Sequence, residues 1–209
     1  MLHSETNKHT AITPKWAETE DILALLETTK GNALLDMRDR ALILFLLDTG
    51  CRAGELCRLE VDDLNLDAMR ATVANMSTRA RFIPFVEPTR EVLQSWLDVR
   101  PSDRGPWVFV GLSSHSKGAL TPSSLRRMLK RRGKVAGCKG PVNPRTFRYA
   151  FARHWVMSGG SLETLACLLG YSSVSVTRDS LDTLACLLGH RSVSVTRSLY
   201  NIFNANEAK

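Results

Sequence analysis

The part of the chain best suited to phosphate chemistry is a basic stretch in its second half. From Thr121 to Met157 the sequence has ten lysines and arginines and no aspartate or glutamate. The formal net charge of the whole chain is +7, so the remaining residues sum to −3 (7 minus 10). Contacts with a polyanion need positive charge concentrated in this way, because each neutralised phosphate contributes to binding. The sequence therefore predicts a polyanionic partner.

Three short motifs, spread over the chain, hold residues that can act on a phosphate. They are DTGCRAGEL, PRTFRYAFA and LLGHRSVSVTRSLY. In this order they resemble the TG-x-R-x-x-E-L, H-x-L-R-H-x-x-A and LGH…T-x-x-x-Y boxes of the tyrosine recombinases, the phage integrase family. The resemblance runs from about Ala17 to Phe203, nearly the whole chain. It places the candidate catalytic residues at Arg52, Arg145, Arg148, His190 and Tyr200, with Glu55 as an acidic companion.

The resemblance implies cleavage and rejoining of double-stranded DNA without a metal ion, another cofactor or ATP. Arg52 and Arg148 would bind the scissile phosphate, since guanidinium is permanently charged and forms two parallel hydrogen bonds to phosphate. His190 would donate a further hydrogen bond to the same oxygens. Tyr200 would attack the phosphorus and form a 3′-phosphotyrosine. The implied fold is mixed α/β, mainly helical with a small antiparallel β-sheet.

Two positions depart from the boxes. The family has a lysine on the hairpin turn before a stretch like RxVPL, and aligning Arg81 to Phe85 on that stretch puts Met76 at the lysine. Methionine cannot protonate a leaving oxygen, and nearby Arg79 holds its proton too tightly to be a good general acid but would stabilise charge. Arg145 stands where the second box has histidine, and it would bind phosphate instead.

Each of these residues also has a simpler interpretation. Arg52 and Glu55 would suit an ion pair on a helix surface, Tyr200 a packed core, and His190 the end of a helix after its glycine. A basic helix is often only a solvated face. All of these holding together, in the family order, is the less favoured interpretation. The residues predicted to contact the DNA backbone are Arg126, Arg127, Lys130, Arg131 and Arg132.

The elements that must position these residues follow from apolar spacing and stop signals. The sequence predicts a helix from Thr19 or Glu20 to near Gly31, a core helix over Leu34–Thr49 that Gly50 stops, and a short helix over Arg52–Leu59. Val61–Asp67 is predicted as a turn, and Ala71–Asn75 with Arg81–Phe85 as a hairpin. Further predictions are helices over Pro88–Val99, from Thr121-Pro122 and from Asn143-Pro144 to about Ser158, and a short strand over Trp107–Val110.

A tandem duplication occupies residues 161–197. SLETLACLLGYSSVSVTR at 161–178 returns at 180–197 as SLDTLACLLGHRSVSVTR, with three differences. Tyr200 lies 52 residues after Arg148, and removing one 19-residue copy would leave 33, close to the usual spacing of the family. Either the second copy displaces the first in the fold, or the tyrosine segment docks elsewhere. The second option includes a neighbouring subunit that exchanges C-terminal helices on DNA.

Composition limits the protein class and its surroundings. Hydrophobic residues make up 44% of the chain, enough for a core, and no apolar run reaches the length of a membrane span. Five scattered cysteines without a CxxC pair indicate reduced thiols rather than disulfides or zinc. We expect a cytoplasmic protein, nucleoid-associated if bacterial. Residues 1–16 are predicted to be a flexible tail and 17–209 a catalytic domain, without the N-terminal DNA-clamping domain of the family and hence with weaker DNA binding.

Three functions remain open from the sequence. The first is an active recombinase or integrase. The second is a catalytically impaired, recombinase-derived DNA-binding module, which Met76 and the altered spacing favour. The third is a DNA-relaxing activity like that of type IB topoisomerases, which share the chemistry.

Overall fold

The structure is a computed structural model that describes residues 18–75, 78–113 and 118–170. The predicted tail 1–16 and the second repeat copy lie outside these residues. The elements, in chain order, are α1 Thr19–Glu27, α2 Leu34–Thr49, α3 Ala53–Leu56, β1 Leu64–Asn65, β2 Arg70–Asn75, β3 Thr78–Pro84, α4 Glu87–Val99, α5 Pro122–Val135, α6 Pro144–Met157 and α7 Leu162–Leu169. The predicted mainly helical fold with a small antiparallel sheet is confirmed. None of the described helices has both the length and the apolar composition needed to cross a membrane.

Helix α2 forms the centre of the core and leads into the loop that carries Arg52. It packs against α4 and α6, and its fully buried apolar residues are Ala41, Leu42, Ile43, Phe45 and Leu46. The helix ends at Gly50, whose φ of +58° lies in the left-handed region that favours glycine. A Cβ at Gly50 would also lie 2.6 Å from Cδ1 of Phe151 in α6. The Thr-Gly pair therefore both ends α2 and allows α6 to approach the loop.

The sheet is a three-stranded antiparallel meander in the order β1-β2-β3. Ala71 pairs with Ile83, and Val73 pairs with Arg81. Ala71, Val73 and Ile83 are buried, so one face of β2 and β3 packs on the core. Because side chains alternate along a strand, Arg81 lies on the same inward face as Ile83. The hairpin therefore directs an arginine toward the interior of the protein.

Helices α5 and α6 begin as the sequence predicts. Proline occupies the first turn of each, where its missing N–H costs no helical hydrogen bond. The Thr121 side chain accepts a hydrogen bond from the Ser124 amide at 3.2 Å. The Asn143 side chain accepts from the amides of Arg145 and Thr146 at 3.0 and 3.2 Å. These caps fix where each helix begins and thus which way its arginines project.

Two segments differ from the predictions. Trp107–Val110 makes only isolated bridges, with Glu60 and Ala119, instead of a strand. Val108, Phe109 and Val110 are buried, and backbone groups of the segment bond one at a time to other segments, for example the Val108 amide to the Leu59 carbonyl at 2.8 Å. The segment predicted as a turn, Val61–Asp67, contains β1, which is only two residues long and too short for alternation to reveal.

Candidate functional site

Arg52, the arginine of the first motif, lies in the loop between α2 and α3. It is the N-terminal capping residue of α3, and its side chain is 33% exposed. The Thr49 hydroxyl accepts a hydrogen bond from the Cys51 amide at 3.3 Å and donates one to the Phe45 carbonyl at 2.6 Å. These bonds tie the loop to the last turn of α2. The predicted arginine is therefore held on a fixed and partly exposed loop.

Glu55 is the buried acid of the site and has a fully covered carboxylate, 0% exposed. It accepts hydrogen bonds from the Arg52 amide at 2.8 Å and from Arg52 Nη1 at 3.1 Å. Arg81 Nη1 and Nη2 donate to its two oxygens at 2.8 and 2.9 Å. Burial acts to raise the pKa of Glu55, but the hydrogen bonds from Arg81 and Arg52 outweigh it and lower the pKa. Glu55 is therefore a carboxylate that joins two arginines.

Arg81 is the member of the site that the sequence did not identify. Besides its two bonds to Glu55, its Nε donates to the Leu168 carbonyl at 2.7 Å. Its side chain is 11% exposed. A signal was available in the strand alternation, since Arg81 shares a face with the core residue Ile83. A buried arginine needs a carboxylate partner, and Glu55 is that partner.

Arg148 of α6 reaches the same loop from the other half of the chain. Its Nη1 donates to the Gly50 carbonyl at 2.9 Å, and its Nη2 donates to the Leu169 carbonyl at 2.8 Å. The residue is buried. Gly50 is only two residues before Arg52, so the structure attaches the second-box arginine to the loop that holds the first.

Cys51, between Gly50 and Arg52, has a buried thiol. Burial raises the pKa of its thiol to about 12, and the Thr49 hydroxyl opposes this rise. Glu55 acts to raise the pKa, and Arg148 and Arg81 act to lower it. The thiol is protonated at neutral pH and is no nucleophile.

The end of α7 closes this part of the site. Its carbonyls at Leu168 and Leu169 accept from Arg81 and Arg148, respectively. The helix stops at Gly170, which has a φ of +72°. A Cβ at Gly170 would lie 2.6 Å from Arg81 Nη1. The glycine of the LLG sequence is therefore needed both for its backbone conformation and for the close approach of Arg81.

Arg145 lies one turn before Arg148 on α6 and is exposed. Its Nε donates to the Tyr149 hydroxyl at 2.6 Å, and its guanidinium carbon lies 5.4 Å from the centre of the Tyr149 ring. This contact orients a long side chain that would otherwise have many conformations.

The basic residues of α5 fall into two groups. Arg126, Arg127, Lys130 and Arg131 are exposed, as a DNA-facing surface requires. Arg132 instead faces the protein: it contacts Asp36 and Asp39 at 2.6 and 2.9 Å and donates to the Thr28 carbonyl at 2.5 Å. Its side chain is 12% exposed. Arg132 thus differs from the expectation of a phosphate contact, because the carboxylates of Asp36 and Asp39 already pair with it.

Several predicted site residues lie outside the described part of the chain. They are Met76, His190 and Tyr200. Arg79 belongs to β3, but its side chain is also outside the described part. The described structure therefore brings together Arg52, Glu55 and Arg148, and adds Arg81.

Comparisons with known proteins identify the family and the fold of the chain. A model of the phage integrase family matches residues 15–180, more than half of the chain. Tyrosine recombinase XerD of Listeria innocua is 32% identical over 182 residues, which cover 85% of this chain and 61% of that protein. Tyrosine recombinase XerA of Pyrococcus furiosus is 32% identical over 166 residues, covering 79% of this chain and 56% of that protein. The chain thus spans about three fifths of the length of these relatives.

Solved structures give the same result for the fold. A crystal structure of XerA recombinase has a TM-score of 0.72 and 26% identity and covers 93% of this chain and 65% of that one. A structure of the XerH site-specific recombinase bound to its difH substrate has a TM-score of 0.64 and 21% identity, and it covers 77% of this chain and 48% of that one, so it supports the fold alone. The chain therefore belongs to the phage integrase family and has the fold of a tyrosine recombinase catalytic domain.

Proposed function

We propose that the protein carries out site-specific DNA recombination by cutting and rejoining strands through a 3′-phosphotyrosine, without a metal ion or ATP. One observation carries the proposal: Arg148 donates a hydrogen bond to Gly50, 98 positions earlier, in the loop that also carries Arg52. Two permanently charged guanidinium groups from distant parts of the chain are thus attached to one loop. Such a pair suits a phosphate that develops charge on its non-bridging oxygens.

The charge of the cluster supports an anionic ligand. Arg52, Arg81 and Arg148 contribute three positive charges and Glu55 one negative charge, a formal sum of +2 over these four groups (3 minus 1). A phosphodiester carries one negative charge. Because the groups are partly or fully buried, their attraction for an anion is less screened than it would be in water.

The proposed reaction needs no external energy. The Tyr200 oxygen bonds to phosphorus as the bond from phosphorus to the 5′-oxygen breaks. The phenol loses its proton and the 5′-oxygen gains one, so a 3′-phosphotyrosine and a 5′-hydroxyl result. Arg52 and Arg148 stabilise the charge on the non-bridging oxygens, and His190 donates a further hydrogen bond. A 5′-hydroxyl then attacks the phosphotyrosine and reverses these steps.

Protonation of the leaving oxygen is the step most affected by this sequence. Met76 stands where the family has lysine and has no proton to give. Arg79 is proposed to stabilise charge without transferring a proton. Cleavage is therefore expected to be slower than with lysine, and Met76→Lys is expected to accelerate it.

The DNA backbone is proposed to lie along the exposed basic face of α5. Arg126, Arg127, Lys130 and Arg131 are exposed there with no acidic neighbour in the same helix. Each phosphate contact adds affinity and salt dependence. Arg145, oriented by Tyr149, is proposed to reach the phosphate beside Arg148.

The test uses covalent capture, because the target sequence is not specified by the chain. The full-length protein is mixed with nicked duplexes of randomised sequence, so that cleavage releases a short fragment and traps the adduct. Denaturant-resistant complexes are isolated and sequenced. Wild-type protein is expected to give adducts of a defined sequence, and Tyr200→Phe none. Adducts that persist in Tyr200→Phe would contradict the assignment of the nucleophile.

Two other outcomes correspond to the alternative functions. Salt-sensitive DNA binding without any adduct would support a DNA-binding module, an alternative favoured by Met76. A gain of adduct in Met76→Lys would then locate the defect at the missing proton donor. Relaxation of a supercoiled plasmid without strand exchange between two DNA molecules would support an activity like that of type IB topoisomerases.

We also propose self-association on DNA, with exchange of the C-terminal segment between subunits. The motivation is the separation of 52 residues between Arg148 and Tyr200, which leaves 19 residues more than the usual spacing. Mixing Arg148→Ala with Tyr200→Phe tests the exchange. Restored adduct formation in the mixture is expected if a tyrosine from one subunit enters the site of another, and none if each subunit uses its own.

A further inference from the structure

Arg81, the third arginine of the cluster beside Arg52 and Arg148, pairs with both oxygens of Glu55 and has no part in the proposed reaction steps. We propose that Arg81 is a positioning residue that keeps Arg52 in place to bind the scissile phosphate, and that it does so by occupying Glu55. As a statement about catalysis this rests on the proposed function. As a statement about the position of Arg52 it is independent of that function.

The hydrogen bonds of Arg81 point inward. Nη1 and Nη2 donate to Oε1 and Oε2 of Glu55, and Nε donates to the Leu168 carbonyl. Three N–H groups of the guanidinium are thus directed at protein acceptors. Arg52 differs in exposure, because its side chain is three times as exposed as that of Arg81. Arg81 therefore suits a supporting role, and Arg52 suits contact with a ligand.

The contact of Arg81 with both oxygens limits what Glu55 can do to Arg52. A carboxylate and a guanidinium prefer to pair through two parallel hydrogen bonds. Oε1 already accepts from Arg81 and Arg52, and Oε2 from Arg81 and the Arg52 amide. Without Arg81, each oxygen would lose one of its two donors and could accept a second hydrogen bond, so that the Arg52 guanidinium could pair with both oxygens. That pairing would draw Arg52 toward the buried acid and away from a phosphate.

The same arginine links this geometry to helix α7. Arg81 Nε is bonded to Leu168, and the Arg81 guanidinium lies against Gly170. Arg148 is bonded to the next carbonyl, Leu169. The docked end of α7 thus fixes Arg81 and Arg148 at once. The position of Arg52 therefore depends, through Arg81 and Glu55, on the packing of α7 against Arg81.

Arg81→Lys tests the inference, and Arg38→Lys is a matched control. Lysine keeps the charge of Arg81 but cannot form two parallel bonds to Glu55 and reach Leu168 as well. Arg38 is also buried and donates to a carboxylate, Asp39, and to the Val110 carbonyl. Both changes should reduce stability, but only Arg81 touches Glu55.

Two readouts are measured under conditions in which circular dichroism shows both variants fully folded. The first is the rate constant of adduct formation at saturating nicked DNA together with the Kd for that DNA. Arg81→Lys should lower the rate constant by roughly 10- to 100-fold, with the Kd changed by less than about 3-fold, because a small misplacement of a catalytic group has effects of this size. Arg38→Lys should change neither by more than about 3-fold.

The second readout is the NMR signal of the Arg52 side-chain Nε–H in the protein without DNA, assigned by its loss in Arg52→Lys. The chemical shift of this signal should change in Arg81→Lys and remain unchanged in Arg38→Lys. An unchanged Arg52 signal, or rate losses equal in the two variants, would overturn the inference. If wild-type protein forms no adduct, the proposed function fails, and the Arg52 signal still decides whether Arg81 positions Arg52.

Discussion

Replacing Glu55 by glutamine removes one negative charge from the centre of the arginine cluster while keeping its shape. The glutamine oxygen can still accept hydrogen bonds, but its NH2 group donates and would face Arg81 or the Arg52 amide. The Glu55 carboxylate is fully covered and Arg81 nearly so, whereas the contact with Arg52 is partly solvent-screened. Loss of one partner from a buried pair costs about 3–5 kcal/mol. We expect Glu55→Gln to lower the free energy of unfolding by about 3 kcal/mol at pH 7, near the bottom of that range.

The pH dependence of this loss follows from the direction of the pKa shift. The pKa of Glu55 is lower in the folded protein than its ordinary value of 4.5. The stability that the carboxylate contributes is therefore fully present above about pH 4.5 and is lost as the pH falls through the folded-state pKa. The difference between wild type and Glu55→Gln should be constant from pH 7 to about 5 and should shrink below pH 4.5.

Urea unfolding followed by circular dichroism at several pH values between 7 and 3.5 measures this difference. Glu87→Gln is the matched control, because Glu87 also pairs with an arginine, Arg90, and its pKa is lowered by the hydrogen bond from Arg90, but it is exposed. An exposed pair contributes little, so this control should change stability only slightly. A loss in Glu55→Gln below about 1 kcal/mol at pH 7, or one that does not shrink at low pH, would refute the view that a buried carboxylate holds the cluster together.

Three further predictions concern the repeat, the basic helix and the cysteines. Deleting residues 161–179 restores the 33-residue spacing between Arg148 and Tyr200, and the second copy keeps the LACLLG sequence that can pack on the cluster. Adduct formation, measured by covalent capture, should therefore rise. An unchanged or lower yield would argue that the first copy is required. Arg126→Ala should weaken DNA binding and reduce, by about 1, the slope of the logarithm of the binding constant against the logarithm of the salt concentration. Lys30→Ala should leave this slope unchanged. Fluorescence anisotropy at several salt concentrations measures the slope. Burial raises the pKa values of the Cys51 and Cys57 thiols to about 12. Both thiols should therefore resist iodoacetamide at pH 8 until urea unfolds the protein. Rapid labelling of the native protein, detected by mass spectrometry, would contradict their burial.

The sequence by itself determined most of the helices, the β2–β3 hairpin and the identity of the family. The apolar run over 34–49 and the glycine after it predicted α2 with its observed bounds, because both signals lie within the helix sequence itself. Capping residues followed by proline located the starts of α5 and α6 for the same reason. The motifs around Arg52 and Arg148 predicted a shared site, and folding attaches Arg148 to the loop that carries Arg52.

Only the tertiary structure decided which arginines form buried ion pairs and which carboxylates are their partners. Arg81 meets Glu55 across 26 positions, and Arg132 meets Asp39 across 93. Strand alternation indicates that Arg81 faces inward, but the local sequence does not show which carboxylate either arginine meets. Whether an arginine contacts a ligand or supports the fold depends on the carboxylates and carbonyls that folding brings beside it, because burial makes a partner necessary. For that reason Arg132 faces the protein, and Arg81 lies at the centre of the site.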